Sequence, residues 1–250
     1  WEVLRQYLDI DDPDSINLQM FNSFLDGSKS AIEMTAVCNA TGLVPQAQGL
    51  SFPPSSRFAL ADVCRPQKDG GALTCDGTTE VVSSLHRNGE PVDHHLAMGT
   101  FVIVKPKSDY ARQCFREYHM LPDQSGRYGA LYRPTHMIGL ELGVSIASVA
   151  LRGEPTGQPH CFSSDVVAVA KRDLKAGETL DGEGGHCVYG KQMPADASME
   201  KNALALGLSN GLTLTRDVDA GKVLCEEDAA LDNADEAVQA RRMMRATFAL

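Results

Sequence analysis

The stretch from Asp26 to Leu43, DGSKSAIEMTAVCNATGL, has the apolar spacing of a single helix, and the rest of the chain is interpreted from it. Ser28 can accept hydrogen bonds from the first-turn amides, and Gly42 is a typical helix C-cap. Lys29 is unusual, because a lysine in the first turn faces the positive end of the helix dipole. Two interpretations stay open: a solvated ion pair with Glu33, four residues on, or an ammonium aimed at an anionic or carbonyl substrate.

The composition is that of an ordinary globular protein and argues against two classes of partner. The chain has 250 residues, of which 43% are hydrophobic and 22% charged, and its formal net charge is -10. A nucleic-acid-binding surface needs a basic stripe, so we expect no nucleic-acid partner. No apolar run approaches the roughly 20 residues of a membrane span, so we expect no membrane partner.

The cysteines indicate the redox compartment of the protein, and the first residue indicates whether the sequence is a whole polypeptide or part of one. Seven cysteines are scattered through it, and no two of them have C-x-x-C spacing. This pattern favours reduced thiols in a cytoplasmic protein over a disulfide framework or a zinc site. Because the sequence starts at Trp1 in the middle of a pattern, we expect it to be a piece of a longer polypeptide.

The first half alternates short periodic segments with irregular ones. Pro13 interrupts an early helical pattern, and the prolines and glycines of residues 44–88 predict a loop-rich segment of the kind that often borders an active site. The predicted elements are helices over residues 1–10, 16–25 and 108–120, and strands over residues 79–86 and 99–104.

The segment Tyr132–Leu151, YRPTHMIGLELGVSIASVAL, predicts a long helix that begins after Pro134. Three polar residues lie near that start. Arg133 offers a fork of donors for phosphate or carboxylate, and His136 suits proton transfer near neutral pH. Glu141 lies between two leucines. Taken singly, each has a structural interpretation as a surface ion pair or cap, but three together at one helix start favour a site about as much as they favour structure.

The second half has a different texture and an internal repeat. Residues 165–170, DVVAVA, predict a buried strand, and residues 234–248 predict a terminal helix. The segment Asp173–Leu180, DLKAGETL, returns as Asp217–Leu224, DVDAGKVL. Each copy has the Asp and Gly that a tight turn needs. We therefore expect a small pseudo-symmetric β domain in which the two turns occupy equivalent corners.

These motifs carry a family resemblance. DLKAGETLDGEGGHCVYG followed by DVDAGKVLCEED resembles the SAF domain, a small β-clip module. Together with DGSKSAIEMTAVCNATGL and YRPTHMIGLELGVSIA, the chain resembles the homoserine-dehydrogenase-like NAD(P)H oxidoreductases with a C-terminal SAF domain. That group includes the 1-deoxy-D-xylulose-5-phosphate reductoisomerase-like (DRL) enzymes of isoprenoid precursor synthesis.

The resemblance implies an α+β fold, with a mixed α/β catalytic domain followed by a small β-clip domain. The implied division is an oxidoreductase catalytic domain over residues 1–160, an SAF-like domain over 161–232 and a C-terminal helix over 233–250. It also implies NADPH or NADH as cofactor, and a divalent metal if the substrate is a deoxyxylulose phosphate. The chain has no G-x-G-x-x-G motif after a strand, so we expect the Rossmann domain that binds the nicotinamide to be missing and this fragment alone to be inactive.

The resemblance also implies roles for individual residues. The expected catalytic residues are Lys29, His136 and Glu141, and the expected substrate-binding residues are Asn39, Lys105 and Arg133. No carboxylate cluster has metal-ligand spacing, so no metal site is predicted. We expect Lys29, Asn39, Arg133 and His136 to line one pocket.

The expected partners are a small phosphorylated or carboxylated substrate and further copies of the chain in a homo-oligomer. An alternative stays open: the chain could be a non-catalytic binding or assembly module of the SAF type. A pocket that brings the expected residues together would favour the enzyme, and side chains on separate surfaces would favour the module.

Overall fold

A computed structural model describes residues 12–118 and 120–248 of the chain. The mixture of helices and small antiparallel sheets confirms the predicted α+β class, while the helix predicted over residues 1–10 lies outside the described residues. The helices and strands, in chain order, are α1 (Leu18–Leu25), α2 (Ser28–Thr41), α3 (Leu60–Val63), β1 (Thr100–Val104), α4 (Asp109–Glu117), β2 (Leu121–Pro122), β3 (Gly129–Arg133), α5 (Leu142–Arg152), β4 (Ser164–Ala170), β5 (Val188–Pro194), α6 (Ala195–Glu200) and α7 (Glu236–Phe248).

The chain divides into two compact units. Unit 1 joins the residues up to Leu50 with those from Pro159 onward, and unit 2 is Ser51–Gln158. Each unit is described by itself. The functional division at residues 160 and 232 stays a prediction.

Unit 2 contains a three-stranded antiparallel sheet in the order β1-β3-β2. The register places Thr100 opposite Arg133 and Val104 opposite Gly129, so β1 begins where β3 ends. Leu60 of α3 packs with Tyr128 and other buried residues on this sheet. The strand predicted over residues 99–104 and the helix predicted over 108–120 are both confirmed, the helix with Ser108 as its N-cap.

In unit 1, α2 packs against the antiparallel pair β4-β5. The predicted helix and its C-cap are confirmed, because Gly42 has a φ of 76° and its amide bonds to Cys38. The predicted cap by Ser28 is wrong. Gly27 occupies the N-cap position, and the buried Ser28 hydroxyl accepts instead from the amide of Gly190 in β5, at 2.7 Å. This bond fixes the start of the helix on the sheet.

The internal repeat of the sequence forms a pseudo-two-fold pair of turns. Asp173 accepts from the amide of Ala220, and Asp217 accepts from the amide of Ala176, both at 2.9 Å. The backbone repeats the exchange, as Leu174 and Val218 bond to each other in both directions. The two turns therefore occupy equivalent corners, as predicted. The buried residues of the two repeats, Leu174, Leu180, Val218 and Leu224, lie in one core together with these others: Val188, Leu204 and Leu214.

Two elements predicted in unit 2 are wrong. The helix expected after Pro134 begins only at Leu142, since Gly139 has a φ of 84° and forms a turn that no α-helix contains. The strand expected over residues 79–86 is replaced by isolated bridges. There Ser83 bonds through its hydroxyl to both backbone groups of Leu85, which competes with a strand ladder.

Two general features complete the fold. Within residues 12–118 and 120–248, no helix combines the length and the hydropathy needed to cross a bilayer. All seven cysteines are free thiols, and Cys38, Cys64 and Cys187 are buried.

Candidate functional site

Lys29 projects from the first turn of α2 and forms an ion pair that sequence spacing did not indicate. Its Nζ lies 2.6 Å from Oε1 of Glu183, and each of the two side chains is 32% exposed. Glu33, the partner considered from sequence, is an exposed residue with no ion pair to Lys29 in the described structure. The ammonium has three N–H donors, so the contact with Glu183 leaves two of them for other groups.

Asn39, in the last turn of the same helix, holds the start of β4. Its Oδ1 accepts from the amides of Ser163 and Ser164 at 2.9 and 3.1 Å, and its Nδ2 donates to the Ser164 carbonyl at 3.0 Å. These bonds occupy both ends of the amide. The structure therefore gives Asn39 a definite structural task, and substrate binding by Asn39 stays a prediction.

Three of the predicted residues meet in unit 2. Glu141, the N-cap residue of α5, forms an ion pair with Nη2 of Arg133 through one carboxylate oxygen. Its other carboxylate oxygen accepts a hydrogen bond from Nδ1 of His136 at 3.2 Å. Arg133 ends β3, and the turn at Gly139 folds the chain back so that Glu141 returns to it. The site is half open to solvent: the Arg133 and His136 side chains are 61% and 44% exposed.

The geometry of this trio leaves donors free. Glu141 engages one nitrogen of the Arg133 guanidinium, which has five N–H donors in all. It also engages Nδ1 of His136, and Nε2 has no partner among the described residues. The arrangement can therefore hold an anion through Arg133 and exchange a proton through His136.

Lys105 lies away from this trio. It directly follows β1, at the end of the β1-β3 pair opposite to Arg133, about 16 Å along the strands. Its Nζ lies 3.3 Å from Asp76 and 5.3 Å from the centre of the Tyr128 ring. Hydrogen bonding to Tyr128 and to Asp76 raises the pKa of Lys105. The structure thus does not bring Lys105 together with Arg133, and its role in substrate binding stays a prediction.

The predicted site residues are divided between the units. Lys29 and Asn39 belong to unit 1, and the other four belong to unit 2. The expected common pocket stays a prediction for that reason.

Sequence reasoning missed a strained loop beside Arg133. His94 and Met98 have positive φ values of 55° and 65°, which residues with a Cβ rarely adopt. Gly99 follows them so closely against β3 that a Cβ there would lie 2.6 Å from the Arg133 carbonyl oxygen. Such strain is often found at functional sites, but no sequence pattern predicted it here.

The glycine-rich segment Gly182–Gly185 does not fit a dinucleotide. A Cβ on Gly184 would lie 2.0 Å from the Gln19 carbonyl oxygen, and one on Gly185 would lie 2.2 Å from the Asp181 carboxyl carbon. The chain's own atoms therefore crowd the space that a pyrophosphate would need, and the segment forms a turn instead. Across the described parts of the chain, no group of three or more His, Cys, Asp or Glu residues could hold a metal ion.

Comparison with known families defines the class of protein. The model of the family described as "Oxidoreductase DRL, catalytic domain" matches residues 4–142, and the SAF domain model matches residues 165–228. The first match covers more than half of the chain, so the chain belongs to the oxidoreductase DRL family, with an SAF domain after its catalytic domain. The search of curated proteins returned no match.

Proposed function

We propose that this chain is the catalytic and SAF portion of an NAD(P)H-dependent oxidoreductase that reduces the carbonyl of a small phosphorylated or carboxylated substrate. One observation carries the proposal: the match to the DRL catalytic domain spans residues 4–142 and includes every residue expected in the site. The substrate we propose is 1-deoxy-D-xylulose 5-phosphate or a close relative, in isoprenoid precursor synthesis, and the residue set is compatible with it.

The nicotinamide would supply a hydride, and we propose that a domain outside this chain holds it, because Gly182–Gly185 is filled by the chain itself. Within this chain, Lys29 would act at the carbonyl oxygen. Its ammonium is ion-paired with Glu183, and one of its N–H groups would donate to the oxygen and deliver the proton that completes the alcohol.

The trio in unit 2 would hold the rest of the substrate. Arg133 would bind the phosphate or carboxylate with the donors that Glu141 leaves free. Glu141 would keep His136 in the tautomer with a proton on Nδ1, so that Nε2 can accept or relay a proton.

The experiment is steady-state reduction of 1-deoxy-D-xylulose 5-phosphate with NADPH and with NADH, by this chain alone and by the polypeptide that includes the nicotinamide-binding domain. We expect turnover by the longer polypeptide only. Arg133→Ala should raise KM about 10- to 150-fold, equivalent to about 1.5–3 kcal/mol for a lost charge-assisted hydrogen bond.

The matched control is Arg112→Ala, which removes an arginine that, within the described residues, is ion-paired only with Asp109, one turn earlier on α4. It should leave KM unchanged. If neither polypeptide consumes either nicotinamide with this ketose or with other carbonyl compounds, the chain is not the reductase we propose, and the assembly-module interpretation gains. Light scattering of the longer polypeptide would test the homo-oligomer that we also propose.

A further inference from the structure

The loop that follows Leu180 in the SAF domain is closed by a carboxylate. Asp181 accepts from the amides of His186 and of Cys187, the latter at 2.9 Å. Burial raises the pKa of Asp181, but the hydrogen bonds from these amides together outweigh it, and the pKa is lowered overall. A Cβ at position 185 would lie 2.2 Å from the Asp181 carboxyl carbon, so Gly185 allows the backbone to pack closely against this carboxylate.

One side of this loop is bonded to α1. Gln19 donates from Nε2 to the carbonyls of Asp181 and Glu183, at 2.7 and 2.9 Å. Asn22, one turn later, donates from Nδ2 to the carbonyl of Gly184 at 2.7 Å. These three hydrogen bonds therefore fix the backbone at Glu183 and on both sides of it.

The other side of the loop is bonded to the corner between α1 and α2. Lys171 reaches Asp26 at 2.7 Å and also donates to the Gly185 carbonyl at 2.6 Å. The Ser28 hydroxyl accepts from the Gly190 amide, which ties the first turn of α2 to β5. The start of the helix that carries Lys29 is thus held by SAF-domain residues.

These contacts present the Glu183 carboxylate to Lys29. A lysine side chain loses rotamer freedom when it is fixed in one position, and a rigid partner lowers the cost of fixing it at the moment of reaction. Glu183 also offsets the unfavourable position of a cation at the helix N-terminus. The carboxylate explains both how a first-turn lysine is tolerated and where its ammonium is directed.

We propose that Glu183 is a positioning residue for Lys29, so that the SAF domain completes the reductase site. The inference rests on the proposed function, in which Lys29 acts at the substrate carbonyl. Glu183 touches neither substrate nor cofactor in this proposal. It acts by holding the Lys29 ammonium in place, and two of the three N–H donors remain for the substrate.

A double-mutant cycle on the longer polypeptide tests this. The variants are Lys29→Ala, Glu183→Gln and both together, assayed for NADPH-dependent reduction of 1-deoxy-D-xylulose 5-phosphate. Glu183→Gln should lower kcat about 10- to 100-fold with little change in KM, the size expected for a misplaced catalytic group. The same substitution in the Lys29→Ala background should change kcat less than about twofold, since the two residues act as one unit.

The control is Glu200→Gln, the same change at an exposed glutamate that closes α6 and has no ion pair in the described structure. It should leave kcat unchanged. If Glu183→Gln lowers kcat equally with and without Lys29, its role is structural and the inference is overturned. If Lys29→Ala has normal kcat, the proposed catalytic role of Lys29 has failed. If Lys29→Ala is inactive while Glu183→Gln is normal, only this inference has failed.

A second measurement needs no substrate. Acetylation of Lys29 by an N-hydroxysuccinimide ester, followed by mass spectrometry, reports how firmly the ammonium is held. Glu183→Gln should speed the labelling of Lys29 roughly two- to fivefold, as expected for loss of a partly exposed ion pair, and Glu200→Gln should not. An unchanged rate in Glu183→Gln would show that the pair does not hold Lys29, and would overturn the proposal even if the enzyme accepts a different carbonyl compound.

Discussion

Replacement of Asn39 by alanine separates its observed structural contacts from its expected contact with substrate. The variant leaves the Ser164 amide and carbonyl, in a residue with no exposed surface, without their partner. At about 1 kcal/mol for each of three backbone hydrogen bonds, the loss is about 3 kcal/mol. For a chain of this size, a loss of that magnitude lowers Tm by roughly 6–12 °C.

Urea and thermal unfolding of the chain measure this loss, and the matched control is Asn210→Ala. Asn210 is an exposed asparagine whose side chain forms no hydrogen bond in the described structure, so the control should change stability by less than about 0.5 kcal/mol. The reasoning is refuted if Asn39→Ala unfolds like the parent. A normal Tm with a raised KM would instead assign Asn39 to the substrate.

Two further predictions concern buried groups. Burial and the nearby charge of Glu80 raise the pKa of Cys64 to about 12, so the free energy of unfolding should fall as pH rises from about 9 towards 12, by up to about 1.4 kcal/mol per pH unit. Only the unfolded state loses the Cys64 proton in that range. Urea titrations of Cys64→Ala should therefore show a smaller slope than the parent, and an equal slope in the two proteins would contradict the assignment. Arg241→Ala should destabilise the chain by about 3 kcal/mol, because it leaves the buried carboxylate of Asp165 unpaired. Adding Asp165→Asn should recover part of that loss in urea unfolding, and no loss in the single variant would contradict the buried ion pair.

Elements with strong local patterns could be predicted from the sequence. The helix α2 and the strand β4 follow from apolar spacing and from β-branched residues, and Gly42 ends the helix as a glycine C-cap should. The repeated turns could also be predicted, because Asp and Gly act within a few residues of the turn they form. The exchange of bonds between Asp173 and Asp217 then follows from the repeat itself.

The failures involve partners distant in sequence, competing local bonds or a positive backbone φ. Ser28 has the pattern of a helix cap, yet its hydroxyl bonds to Gly190 in β5, which no local rule identifies. Lys29 was compared with Glu33 because the two lie one turn apart, whereas its partner is Glu183 in the SAF domain. The prediction that α5 begins directly after Pro134 was wrong for a local reason. Gly139 has a positive φ, which the apolar periodicity of the sequence does not reveal.

The candidate site shows the same limit. The clustering of Arg133, His136 and Glu141 could be predicted because the three are close in sequence, although the chain joins them through a turn rather than one helical face. The strained backbone at His94 and Met98 depends on how the loop closes against Arg133, and sequence alone carried no signal of it.

The most direct test of the central claim is the kcat of Lys29→Ala in the longer polypeptide with 1-deoxy-D-xylulose 5-phosphate and NADPH. If Lys29 acts at the carbonyl oxygen, kcat should fall by at least about 100-fold, the contribution typical of a general acid, while the circular dichroism spectrum is unchanged. A near-normal kcat and KM would contradict the claim and leave Lys29 as the partner of Glu183 and no more.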